Sequence, residues 1–262
     1  MPFLKINGID LHYEVHGSGE PLVLIHGLGS SLEDWAFQVP AFQREFQVIT
    51  CDCRGHGKSS KQRKASSIEL FANDMAELIA HLRIRPPHVV GISMGGMIAM
   101  ELALNHPKSL QTLTLVNCVP NVVVRPVTLL KRWFVLNILG MKSLARRLAR
   151  SLLPDPQQHA LRDELIKRWQ QNDRRSYKSA THAILEWSAI GRLSAITVPV
   201  AVVSSEYDYW SLDLKKRLFQ PVPDITFYEL SRAHHLPTLE YPEAFNTLLY
   251  DILRSFPGKA PG

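Results

Sequence analysis

The sequence predicts an α/β fold, a mostly parallel sheet with helices on both faces, on three observations. From about residue 46 onward, short β-branched runs alternate with amphipathic helical runs, an order that calls for parallel strands joined by crossover helices. Residues 119–196 interrupt that alternation with four helical patterns in succession and no convincing strand, which reads as a helical insertion. The stretch "VVGISMGGMIAMELA" passes from strand to helix through a turn in which serine and methionine are enclosed by glycines.

The elements follow in order. "FLKI", "IDLHYEVHG" and "PLVLIHG" are strand patterns separated by "NG" and "GSGEP" turns, so the chain is expected to begin antiparallel. "QVITCD" opens the alternating part. In "SIELFANDMAELIAHLRI" an amphipathic helix begins, with Ser67 placed as its N-cap. Val89, Val90 and Ile92 suit a buried strand, and Met97, Ile98, Met100, Leu102 and Leu104 a largely buried helix. After the strand "LQTLTLVNC" the helical patterns break near Gly140, "LLPDP" and Asp173. Strands resume at "VPVAVVSS" and "DITFYEL", and a helix from Glu243 to about Ser255 closes the fold. The expected organisation is a core of residues 1–118 and 197–262 with a helical cap of residues 119–196.

With 262 residues, 45% hydrophobic and 21% charged, the chain suits one large core. "MPFLKINGIDLHYE" lacks the apolar centre of a signal peptide, and no run is long enough to cross a bilayer, so a cytoplasmic location without stable membrane insertion is expected. Cys51, Cys53 and Cys118 have neither disulfide pairing nor zinc spacing and read as buried thiols. The net charge of +6 is local: Arg125, Lys131, Arg132, Lys142, Arg146, Arg147 and Arg150 share one acid-free segment. It reads as a basic face of the cap, with membrane contact as the alternative. Aromatic-basic interleaving of the nucleic-acid kind is absent, so no nucleic-acid partner is expected.

The turn at Ser93 must be sharp, and Gly91, Gly95 and Gly96 let backbones pass where a Cβ would collide. Such a turn thrusts the hydroxyl out at the C-terminal edge of the sheet, beside the free N–H groups of the next helix. Gly91-Ile92-Ser93-Met94-Gly95 resembles the G-x-S-x-G nucleophile elbow of the α/β-hydrolase superfamily. A serine needs a base and an acid, which in that superfamily follow in the order serine, acid, histidine. "VVSSEYDYW" offers Glu206, Asp208 and Asp213, and "YELSRAHHLPTLEYPEAF" offers His234 and His235. Ser205-Glu206-Tyr207-Asp208 resembles the family's G-E-x-D, with serine for glycine, which implies Asp208 as the acid. The alternative family position reads Asn117-Cys118 and has no carboxylate. "HHLPTLEYPEAF" resembles G-H-x-x-x-x-E-x-P-E-x-F, which implies His235 as the base and puts His234 in the glycine's place.

The resemblance extends further. His26-Gly27-Leu28-Gly29 is similar to the family's H-G-x-x loop, so the N–H groups of Leu28 and Met94 are the implied oxyanion donors, with His26 a loop brace. "CDCRGHGKSS" resembles D-x-R-G-x-G-x-S, which makes Asp52, Arg54 and Ser59 structural. Together these motifs imply an α/β-hydrolase fold with an eight-stranded sheet and a helical cap, and no cofactor or metal. Ser93 excludes the branches with an aspartate nucleophile. The implied activity is hydrolysis of small carboxylic esters through an acyl-enzyme, with an enol-lactonase, a carbon-carbon bond hydrolase, or a ligand-binding protein on the same scaffold as alternatives. Ala180, Ala183, Ile184 and Trp187 recur at helical spacing, so Trp187 is expected to face Ser93 as a substrate-pocket wall that favours short acyl groups, against a simple packing role. The cap reads as too polar for an interfacial lid.

Overall fold

The computed structural model describes residues 2–61, 65–124 and 126–256. Eight strands form one sheet: β1 (Phe3–Ile6), β2 (Ile9–His16), β3 (Glu20–Ile25), β4 (Phe46–Cys51), β5 (His88–Ile92), β6 (Thr112–Val116), β7 (Val200–Ser205) and β8 (Ile225–Leu230). Their order is β1-β2-β4-β3-β5-β6-β7-β8. The "NG" turn, with Asn7 and Gly8 both at positive φ (44° and 76°), has the backbone twist a two-residue hairpin favours, and β1 and β2 pair antiparallel through it. β2 also runs antiparallel to β4, and the remaining pairs are parallel.

Helices cover both faces. α1 (Gln38–Phe42) and α10 (Pro242–Ser255) lie on one face with Trp35, Phe42, Phe245 and Leu249 buried against Leu22, Leu24 and Val48. On the other, α2 (Ile68–Leu82) and α3 (Met94–Asn105) pack Phe71, Met75, Ile98 and Leu102 against Val23, Ile25 and Val89. The Ser67 hydroxyl accepts the Leu70 N–H at 3.1 Å and caps α2. α3 is buried from Met94 to Ala103, so its hydrophobicity is nearly uniform around the axis.

Between β6 and β7 run α4 (Pro126–Phe134), a π-helical turn (Val135–Leu139), α5 (Gly140–Leu152), α6 (His159–Trp169) and α7 (Arg174–Glu186), and a bridge between Asn121 and Ser188 clips the ends of this segment together. Much of its apolar surface joins the two sheet-side clusters; Val135, Leu136, Leu144 and Tyr177 form a small one of their own. Arg125 and the Arg132 side chain lie outside the described residues. α8 (Leu212–Phe219) and α9 (Pro237–Glu240) complete the chain.

β3, β5, β7 and β8 are parallel, so the loops that leave their C-terminal ends meet at one edge. The chain winds outward in both directions from the β3–β5 boundary, the kind of switch point where open α/β sheets hold ligands.

Candidate active site

Ser93 sits on that boundary with φ 54° and ψ −117°, a conformation that costs a residue with a Cβ about 1–3 kcal/mol and persists only where the surroundings enforce it. They do so here. A Cβ on Gly91 would strike the Gly95 carbonyl, and one on Gly95 would strike the Ile25 carbonyl. The Ser93 N–H donates to Val116 O at 2.9 Å, and its carbonyl accepts from Gly96 N and Met97 N at 3.0 and 3.2 Å. Met94 is the first residue of α3, where a backbone N–H has no acceptor within the helix and the dipole favours negative charge.

The loop after β3 lies against the same turn: a Cβ on Gly27 would be 3.5 Å from the Ser93 Cβ. His26 is fully buried, takes the Cys53 N–H on Nε2 at 3.0 Å and donates from Nδ1 to Gly27 O at 2.7 Å. Burial lowers its pKa and keeps it neutral, as an Nε2 acceptor must be. Asp52 accepts the N–H groups of Leu32 and Lys58 and pairs with His12, Arg54 forks onto Asp74, and Ser59 bridges His12 N and Asp52 O. All three are framework groups of the loops behind Ser93.

Asp208 and His235 come from the loops after β7 and β8. His235 Nδ1 lies 2.5 Å from Asp208 Oδ1, an arrangement that puts the ring proton on Nδ1 and leaves Nε2 able to accept one. Burial alone would raise the Asp208 pKa; the His235 hydrogen bond and the Lys215 charge outweigh it and hold the carboxyl below its ordinary range. His234 turns away and pairs with Glu240 at 2.7 Å, and Glu206 accepts the Arg232 N–H at 2.7 Å.

Two residues here have roles that the motif reading did not assign. Lys215, completely buried, donates from Nζ to Asp208 Oδ2 at 2.6 Å and Ser204 Oγ at 2.8 Å, with Asn117 Oδ1 at 3.3 Å. Asn117, at φ 46°, donates to Ser205 Oγ and His235 O and accepts Ser205 N, tying β6, β7 and the histidine loop together. The signal for Lys215 was a lysine three residues after Leu212 and four before Phe219, on the inward side of α8.

Ser93 and His235 line one cavity of about 200 Å³. Leu28, Met97, Trp169, Tyr209 and Trp210 are among its apolar walls, and Tyr177 and Ile184 supply the contribution of α7. Tyr209 also packs on the His235 ring, 4.5 Å between centroids. Among its polar members is Asp34, whose Oδ1 accepts from Arg168 at 3.0 Å. Trp187 is not among the lining residues, which corrects the expectation of a pocket wall. α7 ends at Glu186, so Trp187 leaves the helical path in an extended conformation, and its indole donates to Glu101 Oε2 at 2.7 Å on α3. Arg192 closes the same carboxylate from the other side. Cys51, Cys53 and Cys118 are buried and unpaired, and burial pushes the Cys118 thiol up to about 12.

A hydroxyl on a forced turn, an imidazole held by a carboxylate in the same cavity, and amide donors beside them can carry out acyl transfer to serine. Comparisons with known proteins identify the family of the fold. The family model for the alpha/beta hydrolase fold matches residues 20–208. The candidate carbamate hydrolase RutD of Azorhizobium caulinodans is 38% identical over 117 residues, 45% of this chain and 44% of that protein, so the match spans less than half of the relative's length. The RutD of Caulobacter sp. (strain K31) is 30% identical over 261 residues, covering 93% of this chain and 95% of the relative. The crystal structure of the enol-lactonase from Burkholderia xenovorans LB400 superposes with a TM-score of 0.90 at 27% identity, covering 97% of this chain and all of that one. The chain belongs to the α/β-hydrolase family.

Proposed function

We propose that the chain is a serine carboxylesterase acting on small esters. Ser93 Oγ attacks the ester carbonyl, His235 takes its proton and returns it to the leaving alcohol, and Asp208 holds the imidazole and compensates its charge. The N–H groups of Leu28 and Met94 receive the developing oxyanion. Water, activated by His235, then releases the acid from the acyl-serine. The observation that carries this reading is the Asp208–His235 contact at 2.5 Å beside a strained serine in one cavity. A volume of about 200 Å³ walled by aromatic rings lies below the usual ~300–1,000 Å³ of drug-sized sites, which favours short acyl groups such as acetyl.

A second reading, a lactonase, is favoured by the likeness to the enol-lactonase over nearly the whole chain. It uses the same groups, since a lactone is a cyclic ester. The test is a panel of p-nitrophenyl esters graded by acyl length, run beside five- and six-membered lactones. Acetyl and propionyl esters turned over fastest support the first reading, and a lactone preference of an order of magnitude or more would replace it with the second. Tight binding without turnover of either class would leave a ligand-binding protein and overturn both.

A further inference from the structure

Half of the exposed large hydrophobic side chains among the described residues fall within 123–139: Val123, Val127, Leu130, Phe134, Ile138 and Leu139, each between 45% and 84% exposed. Val127, Leu130 and Phe134 fall within an arc of about 60° on α4 at 3.6 residues per turn, and Ile138 follows from the π turn. A run of apolar side chains this concentrated on one helical face is an interaction surface rather than scattered exposure.

The charges beside it select the partner. Exposed Lys131 flanks the stripe on one side. On the other, Asn137, next to Ile138, accepts from Arg174 at 2.6 Å and from Lys178 at 2.5 Å, which draws two exposed cations of α7 against the π turn. Neither aspartate nor glutamate occurs between Glu101 and Asp155, so nothing along α4, the π turn or α5 opposes an anionic surface. Apolar residues bracketed by lysine and arginine are the pattern of a helix that lies in the plane of a membrane interface, its apolar face among the acyl chains and its cations at the headgroups. Val122 and Val124, the residues that lead into this helix, line the cavity with Ser93 and His235.

We infer that α4 and the π turn dock on an anionic lipid surface and set the cavity facing it. This surface would give the cavity access to esters dissolved in the lipid. This proposal departs from the expectation of a cap too polar for an interfacial lid, because the exposed face of α4 carries Val127, Leu130 and Phe134. Docking is peripheral, because no helix among the described residues is long and apolar enough to cross a membrane. It does not depend on the reaction proposed above, since binding is read without turnover.

The experiment is co-sedimentation of the full chain with phosphatidylcholine vesicles, with and without about 30 mol% phosphatidylglycerol. Expected is partition onto the anionic vesicles that falls roughly tenfold on neutral ones or at ~0.5 M salt, where charges are screened within about a few ångströms. Leu130→Ser combined with Phe134→Ser should weaken it by a similar factor, leaving melting temperature and turnover of a water-soluble ester unchanged. Lys131→Glu with Lys178→Glu should abolish the preference for anionic lipid. Equal, negligible partition onto both vesicles would overturn the proposal, as would full binding by the Leu130/Phe134 variant. Light scattering on the same samples supplies a third contrary outcome: a dimer that the apolar variant converts to monomer, without vesicle binding, would assign the face to a second copy of the chain.

Discussion

Lys215 is where a single side chain most alters the chemistry of its neighbours. Its ammonium sits 2.6 Å from Asp208, and both side chains are fully buried, so each charge answers the other with almost no help from water. Removing one partner of such a pair leaves a buried, uncompensated charge, at a cost of about 3–5 kcal/mol. Lys215→Met should therefore lower the melting temperature and also move the acid limb of the kcat/KM profile to higher pH. The sign follows from Asp208, which Lys215 helps hold below its ordinary pKa: without the lysine, the carboxylate protonates at higher pH and the imidazole loses its anchor. A stability loss with an unmoved acid limb would make Lys215 a packing residue only. Trp187 calls for the opposite outcome. Trp187→Ala should cost roughly 3–5 kcal/mol, because the indole is buried and satisfies Glu101, while the acyl-length profile stays as it was. A shifted profile would return Trp187 to the cavity wall. The two cases show what was legible at this scale. The Asp208–His235 contact could be read because both residues stand in motifs of fixed spacing. Trp187 could not, since the 3.6-residue pattern runs on past Glu186 where the helix itself stops. A buried lysine on an otherwise apolar stripe reads in sequence like a surface lysine that snorkels to water.

At the scale of elements, the strand-to-helix turn is set by backbone proximity rather than by the serine. Gly95→Ala should consequently cost several kcal/mol and activity together, since a Cβ there meets the Ile25 carbonyl and rigid backbone must move. Thermal melting of Gly95→Ala beside Ser93→Ala separates the effects: Ser93→Ala should melt like the parent, and an unperturbed Gly95→Ala would refute the close-approach account. The glycines, the Ser67 cap and the run of helices between β6 and β7 could be read from sequence because each is a local pattern. The π turn at Val135–Leu139 was not, as an extra residue in one turn leaves no periodic mark in so short a stretch. Asn117 falls at the end of the strand pattern "LQTLTLVNC", one residue past the end of β6, and its role has no local mark. It matters because three segments distant in sequence meet around its amide, and only the folded sheet brings them together.

At the scale of the whole molecule, alternation of strand and helix identifies a parallel sheet but not the order of its strands. That β3 lies between β4 and β5 is a matter of which edges pair across the sheet, and no single segment encodes it. Yet this order places the loops after β3 and β5 side by side, so that Leu28 and Met94 flank Ser93, and places β7 and β8 where their loops can bring Asp208 and His235 to the same edge. The account therefore depends on one group at the centre of that convergence, the Ser93 hydroxyl. It is tested most directly by treating the protein with a p-nitrophenyl phosphonate ester, which transfers its phosphonyl group to an activated serine, and mapping the adduct by mass spectrometry. The account predicts one phosphonyl group per chain, on the peptide that contains Ser93, with loss of ester hydrolysis in proportion to labelling and neither label nor turnover in a folded Ser93→Ala variant. Ester hydrolysis that survives in Ser93→Ala, or inactivation with the adduct on another residue, would contradict it.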